Sequence, residues 1–421
     1  MNLIVLLWAC APEITYHQNI RPIVDARCIN CHHTGGIGGI DLSTADSVVD
    51  WAPVIEHVTQ NRSMPPWSAT GDFSNDWSLE DVHIEMIQSW VDAGMPLGDP
   101  EAASDVVPSI GTRLSRVDTQ IQMSETYTST VESGDEYRCF VLDWPLEEPT
   151  YITGFNAIPG NPEMVHHIAA FLVRPDGLMG ESIFESLIEW ENSDEDAGYS
   201  CYGGPSLTGT SSQIPIEQIA QWVPGNQGMD FPTGTGISVG LDSKIILQLH
   251  YNVRSDLPTK SDQTVLEFSL EPTVDAPAAY APWLNGLWPV SGMSIPAGAT
   301  GVKHSVEGDP RGFFNVLNPN LELDDGFLIH GLMMHMHRLG RSGSVFLVKE
   351  NGAEIPLVQI PEWNFDWQFT YLLEEPIQFE EGDQLRLECV FDNNATNAVD
   401  VDWGEGTNDE MCVGNLYIST P

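Results

Sequence analysis

A chain of 421 residues with 42% hydrophobic and 18% charged content has the makeup of packed globular domains, which excludes a disordered chain. Its 61 acidic residues against 16 basic ones give a formal charge of -45, and such a surface repels nucleic acid and anionic headgroups. Nucleic acid is therefore excluded as a partner, and no apolar run is long enough for a transmembrane helix.

Residues 1–10, Met1 to Cys10, are apolar and end in a small residue followed by cysteine, the pattern of a lipoprotein-type signal with Cys10 as the lipidated residue. The expectation is an exported protein, periplasmic or at the cell surface, held to a membrane only through a lipid anchor at Cys10. Cysteine arithmetic agrees. Of the 7 cysteines, setting aside Cys10, Cys28 and Cys31 leaves Cys139, Cys201, Cys389 and Cys412, a number that pairs completely in an oxidising compartment.

Residues 11–105 read as a small all-α domain. Cys28-Ile29-Asn30-Cys31-His32 is the C-x-x-C-H pattern of c-type haem attachment, in which both thiols add to the haem vinyl groups and His32 supplies the proximal ligand. A thioredoxin-like dithiol would need a βαβ setting and a zinc site a second cysteine pair, and the sequence offers neither. Met64, in a loop stiffened by Pro65 and Pro66, is the expected sixth ligand, with His33, His57, Met86 and Met95 as competitors. Ser78-Leu79-Glu80-Asp81 reads as a capping box, Val82, Met86, Ile87 and Trp90 fall on one helical face, and Gly94 with Pro96 ends the helix. Together with Ile20-Arg21-Pro22-Ile23 and Trp90-Val91-Asp92-Ala93-Gly94, the segment resembles a bacterial single-haem cytochrome c domain, which implies one covalently bound haem c.

After an acidic linker from Asp99 to Pro108 the texture changes to short alternating runs broken by glycine and proline: Lys244 to Val253, Gly326 to Met336, Gly343 to Val348 and Gln384 to Val390. Strands at that spacing predict antiparallel sandwiches, and a break from Glu271 to Pro277 divides them into regions 112–272 and 279–421. The expected fold is thus multidomain, a small all-α cytochrome c domain followed by two all-β jelly-roll-like sandwiches.

The chemistry of the β region lies in its histidines. His335 and His337, two apart on a strand, project from one face and can chelate one ion. Adjacent His166 and His167 point to opposite faces of a regular strand and could share an ion only at a strand end or bulge. His250 and Gln248 share a polar face opposite Ile245, Leu247 and Leu249. Adding the thioether of Met411 to imidazoles favours copper over zinc, since soft sulfur suits Cu(I).

Met164-Val165-His166-His167, Leu247-Gln248-Leu249-His250-Tyr251, His335-Met336-His337-Arg338-Leu339-Gly340 and Asp409-Glu410-Met411-Cys412, in this order, resemble the copper type II, ascorbate-dependent monooxygenases. The resemblance covers roughly Thr112 to Pro421. It implies two copper ions: an electron-storing one on His166, His167 and His250, and a catalytic one on His335, His337 and Met411 where dioxygen is activated. It also implies pairing of Cys139 with Cys201 and of Cys389 with Cys412, and ascorbate as a reductant. Relative to the family, Val413-Gly414 is an insertion after Cys412, and Met333 stands where the peptide-amidating members hold a substrate carboxylate with arginine.

The leading expectation is a copper monooxygenase that hydroxylates a C–H bond of a small molecule or peptide, with the fused haem as electron donor and a redox protein as a further partner. The alternatives are a non-catalytic electron-transfer or copper-binding exported protein, and a lipid-anchored cytochrome whose sandwiches only bind a partner.

Overall fold

The computed structural model describes residues 13–421 except 35, 37, 102–113, 176–179, 202–203, 207–216, 227, 397, 405 and 407. Cys10 and most of the linker lie outside the described residues. Two compact units emerge, Met1–Trp67 with Trp77–Ile110, and Ser68–Asp76 with Gly111–Pro421. Among the described residues no helix is long and apolar enough to cross a membrane.

In the first unit a π-helical turn, Tyr16–Ile20, runs into α1 (Arg21–Arg27), followed by α2 (Ala45–Gln60) and α3 (Asp81–Asp92). Pro22 sits at the start of α1, where its missing N–H costs nothing. The Thr44 hydroxyl accepts from the Ser47 N–H at 3.3 Å and caps α2, whose buried Val48, Ala52, Ile55 and Thr59 recur at helical spacing. The start of α3 differs from the sequence expectation. Its N-cap is Glu80, with no side-chain cap, and Val82 is 52% exposed, so the buried stripe is narrower and centres on Ile87 and Trp90. Gly94, at φ +84°, ends α3 as expected. Fully buried Trp90 packs 6.2 Å from Tyr16 and donates its indole N–H to the Pro96 carbonyl at 3.1 Å.

The second unit is built of β-sheets. A five-stranded sheet orders Tyr199–Ser200, Gly134–Asp143, Lys244–Val253, Val165–Val173 and Glu217–Trp222. A nine-stranded sheet includes Val265–Glu271, Thr150–Ile158, Thr235–Val239, Ala276–Trp283, Val413–Ser419, Phe327–His335 and Thr370–Phe379, and a four-stranded one carries Gln384–Phe391 and Gly340–Val348 at its centre. The five-stranded sheet packs its apolar face, Ile245, Leu247 and Leu249, on Ile152, Phe155 and Phe268 of the large sheet, which forms one sandwich core. At the other end of the large sheet, Gly343 lies so close to Met334 and Met336, and Gly414 to Val345, that the four-stranded sheet forms the second layer.

One pairing departs from the all-antiparallel expectation. Ala276–Trp283 runs parallel to Thr235–Val239 and antiparallel to Val413–Ser419. The large sheet is therefore continuous across the segment that the prolines mark as a break, and one backbone layer supports both halves. Two disulfides, Cys139–Cys201 and Cys389–Cys412, match the pairing that the resemblance implies.

Candidate metal centre

His166 and His167 become neighbours through a bulge. His250 pairs with His167 and Tyr251 with Val165, so the ladder skips His166 and turns its ring to the side of its neighbour. The Nδ1 atoms of His166 and His167 stand 3.3 Å apart, and those of His167 and His250 3.1 Å apart. His250, 1% exposed, donates Nε2–H to Asp135 at 3.1 Å and stacks on Tyr137 at 4.2 Å. The Asp135 bond fixes the tautomer and leaves the His250 Nδ1 lone pair facing the other two rings. Burial and the neighbouring rings hold His167 well below its ordinary pKa, and burial lowers His166, so both stay neutral as ligands must.

His335 ends the strand Phe327–His335 and His337 lies just beyond it, yet both rings come to one side. Their Nε2 atoms face each other at 3.1 Å. His335 donates Nδ1–H to the Gln368 amide oxygen at 2.6 Å, and His337 donates Nδ1–H to the Asp409 carbonyl at 3.1 Å. Both protons are thereby assigned to Nδ1, which leaves two lone pairs aimed at one another. That arrangement is repulsive without a cation between them, and so the residues fit a metal ion. Burial pushes His337 down to about 3 and lowers His335. Met411 lines the same cavity, and the donor set of two imidazoles and a thioether suits copper.

Glu410, Trp363 and Phe365, to which the sequence reading gave no role, and the expected Cys389–Cys412 disulfide hold this geometry. Glu410, fully buried, accepts the backbone N–H groups of His337 at 2.9 Å and Leu339 at 2.5 Å, tying the histidine turn to the Met411 segment. The adjacent Cys412 is bonded to Cys389 on a central strand. Trp363 donates its indole N–H to the His337 carbonyl at 3.1 Å. The Phe365 ring lies 6.4 Å from that of His166 and 6.1 Å from that of His337. Only Glu410 had a signal in the sequence, its place beside Met411.

Both histidine groups open on one cavity of about 740 Å³, lined among others by His166, His167, His335, His337 and Met411. Met333, 7% exposed, and Gln248 also line it. Met333 is opposite Asn415 in the sheet, so Val413-Gly414 is absorbed within the strand and Asn415 still reaches the cavity.

In the helical unit, Cys28 caps α1, and the N–H groups of Cys31 and His32 donate to the Cys28 carbonyl at 3.2 and 2.9 Å, so the motif forms one tight turn. Both thiols are free, and burial raises them to about 12 and about 11. The His32 Nδ1 is buried without a partner, beside Gly38, where a Cβ would collide with the ring. Two free thiols and a neutral imidazole with an unpartnered nitrogen fit haem attachment. Met64 follows α2, half-buried, its N–H donating to the Val58 carbonyl at 3.1 Å.

Comparison with known proteins places these motifs. Residues 120–257 match the N-terminal domain of the copper type II ascorbate-dependent monooxygenases and residues 314–419 the C-terminal domain. Tyramine beta-hydroxylase of Caenorhabditis briggsae is 24% identical over 312 residues, 67% of this chain and 45% of that protein. DBH-like monooxygenase protein 1 of Homo sapiens is 27% identical over 270 residues, 61% of this chain and 39% of that protein. The chain thus spans under half of the length of these relatives. Among solved structures, the major capsid protein P2 of bacteriophage PM2 aligns over 68% of this chain and 97% of its own, at 7% identity and a TM-score of 0.26, too low to carry an argument. Through its two matched regions, more than half of its length, the chain belongs to the copper type II ascorbate-dependent monooxygenase family.

Proposed function

We propose that this protein is a copper monooxygenase that hydroxylates a C–H bond with dioxygen, one copper on His166, His167 and His250 and the catalytic one on His335, His337 and Met411. The observation that carries the reading is the pair of His335 and His337 lone pairs facing each other, on the same cavity as the three-histidine group. Copper in these sites supplies dioxygen activation and the electrons for it. The residues supply orientation. Gln368 and the Asp409 carbonyl keep the Nδ1 protons in place, Asp135 does the same for His250 Nε2, and Glu410 fixes the turn that carries His337. Met333, beside the His335 strand position, offers dispersion contacts and no cation, which favours a neutral C–H donor over a peptide carboxylate.

The same reading assigns a covalent haem c to Cys28, Cys31 and His32, with Met64 as sixth ligand. It gives the haem the role of electron donor, in place of ascorbate or relaying from it. Export, with Cys10 as a lipid anchor, accords with the two disulfides. Elemental copper analysis and a haem assay on protein matured in an export-competent host, with product formation and oxygen uptake measured together, test the proposal. Copper bound at both groups with stoichiometric oxygen use supports it. Copper binding without product would leave a carrier or electron-transfer protein.

A further inference from the structure

The cavity does not end at the metal groups. Its outer wall is formed by two short helices, Trp288–Ser291 and Arg311–Leu317, through Pro289, Val290, Phe313 and Leu317. On this rim the side chains are apolar and exposed: Val290 85%, Leu287 67%, Val316 59% and Phe313 38%. Val290 is the most exposed large apolar side chain among the described residues. Leu287 and Val290 are three residues apart, as are Phe313 and Val316, so each pair lies on one side of its helical turn. Two members, Val290 and Phe313, line the cavity itself, so the exposed apolar surface is continuous with the interior. Other large apolar side chains are exposed elsewhere, Val399 and Val82 among them, but of the exposed set among the described residues it is Val290 and Phe313 that line the cavity, and exposed apolar area joined to a cavity marks a binding face.

We propose that the cavity takes a neutral substrate with an extended apolar portion: the reacting carbon lies by His335, His337 and Met411, and the apolar end leaves over Leu287, Val290, Phe313 and Val316. This rests on the monooxygenase reading and names its substrate class. Pro282, Leu284 and Met333 add apolar lining to the same cavity, among polar groups that include Gln218, Asn318 and Asn415. A cavity of about 740 Å³ holds a molecule larger than a single ring. The acidic surface disfavours anionic substrates.

The test uses the copper-loaded full chain and a series of neutral probes, 4-ethylphenol, 4-butylphenol, 4-hexylphenol and 4-octylphenol, with binding measured by calorimetry. Affinity is expected to rise by about fourfold for each added methylene that finds apolar surface. Val290→Asp and Val316→Asp, both at exposed positions, should flatten the rise for the longer members, and Val316→Asp, which is outside the cavity lining, should leave 4-ethylphenol unchanged. Leu241→Asp, exposed elsewhere, should change neither. A flat series in the wild type, or a rise that both rim variants retain, would overturn the inference while copper content and oxygen uptake left the enzyme reading standing. Binding to neutral phosphatidylcholine vesicles that Val290→Asp abolishes, with a flat series, would overturn it by making the rim a membrane face. Absence of copper-dependent oxygen uptake with any member would overturn the enzyme reading and this inference with it.

Discussion

His335 and His337 present their Nε2 atoms to each other at 3.1 Å while Gln368 and the Asp409 carbonyl accept the protons on the far side of each ring. The site is thus set by tautomer as well as by position, and that assigns separate consequences to the ligands and to the groups behind them.

Gln368→Leu removes the acceptor that holds the His335 proton on Nδ1. Loss of such an outer partner is expected to cost about 10- to 100-fold in metal affinity. Competitive Cu(I) titration should find that loss at one site only, with the His166, His167 and His250 group still loaded. Equal affinity in the variant would show that Gln368 does not set the tautomer.

Met411→Ala would take away the proposed soft ligand and leave the imidazoles. Turnover should stop and Cu(I) binding weaken at that site, with copper retained at the three-histidine group. X-ray absorption should lose its sulfur scattering. Unchanged copper content and activity would remove Met411 from the ligand set.

Glu410→Ala leaves the buried N–H of His337 without its acceptor, at a cost of about 1–3 kcal/mol, and removes the acceptor of the half-buried Leu339 N–H as well. Chemical denaturation of the metal-free protein should show a loss of that order, and Glu410→Gln, which keeps an acceptor oxygen, should recover part of it. Full stability in the alanine variant would mean that the turn is held by other contacts.

On the proposed haem assignment, replacing both Cys28 and Cys31 with alanine should abolish haem staining on a denaturing gel, because two thioether bonds would be the covalent link. Stain retained in the double variant would contradict c-type attachment.

Met333→Arg would set a guanidinium beside the His335 strand position. Peptides ending in a glycine carboxylate, expected to be poor substrates of the unaltered protein, should compete better against neutral aromatic compounds in the variant. Efficient amidation by the unaltered protein would contradict the neutral-substrate reading.

Much of this was legible in the sequence wherever the physics is local. The apolar face of Lys244–Val253, Ile245, Leu247 and Leu249, packs into a core as expected, although nearly all of the strand is buried, and His335 and His337 meet at Nε2 although His337 lies just beyond the strand's end. The bulge at His166 was legible only as a condition, because a bulge is a property of the pairing and not of one strand. Asp135 and Gln368 left no signal, since they meet His250 and His335 across 115 and 33 residues of chain, Asp135 through sheet register and Gln368 from the loop before Thr370–Phe379. The cap of α3 was misplaced because a serine two residues before Glu80 satisfies the same local pattern. The parallel pairing of Ala276–Trp283 was hidden because Pro277, which reads as part of a break, is accommodated within the strand.

The most direct test of the central claim is copper content together with product formed under oxygen-18 gas, using reduced protein and a neutral aromatic substrate. The account predicts copper at both histidine groups and one labelled oxygen atom in each hydroxylated product. Product without label, or full copper loading with no oxygen consumed, would contradict it.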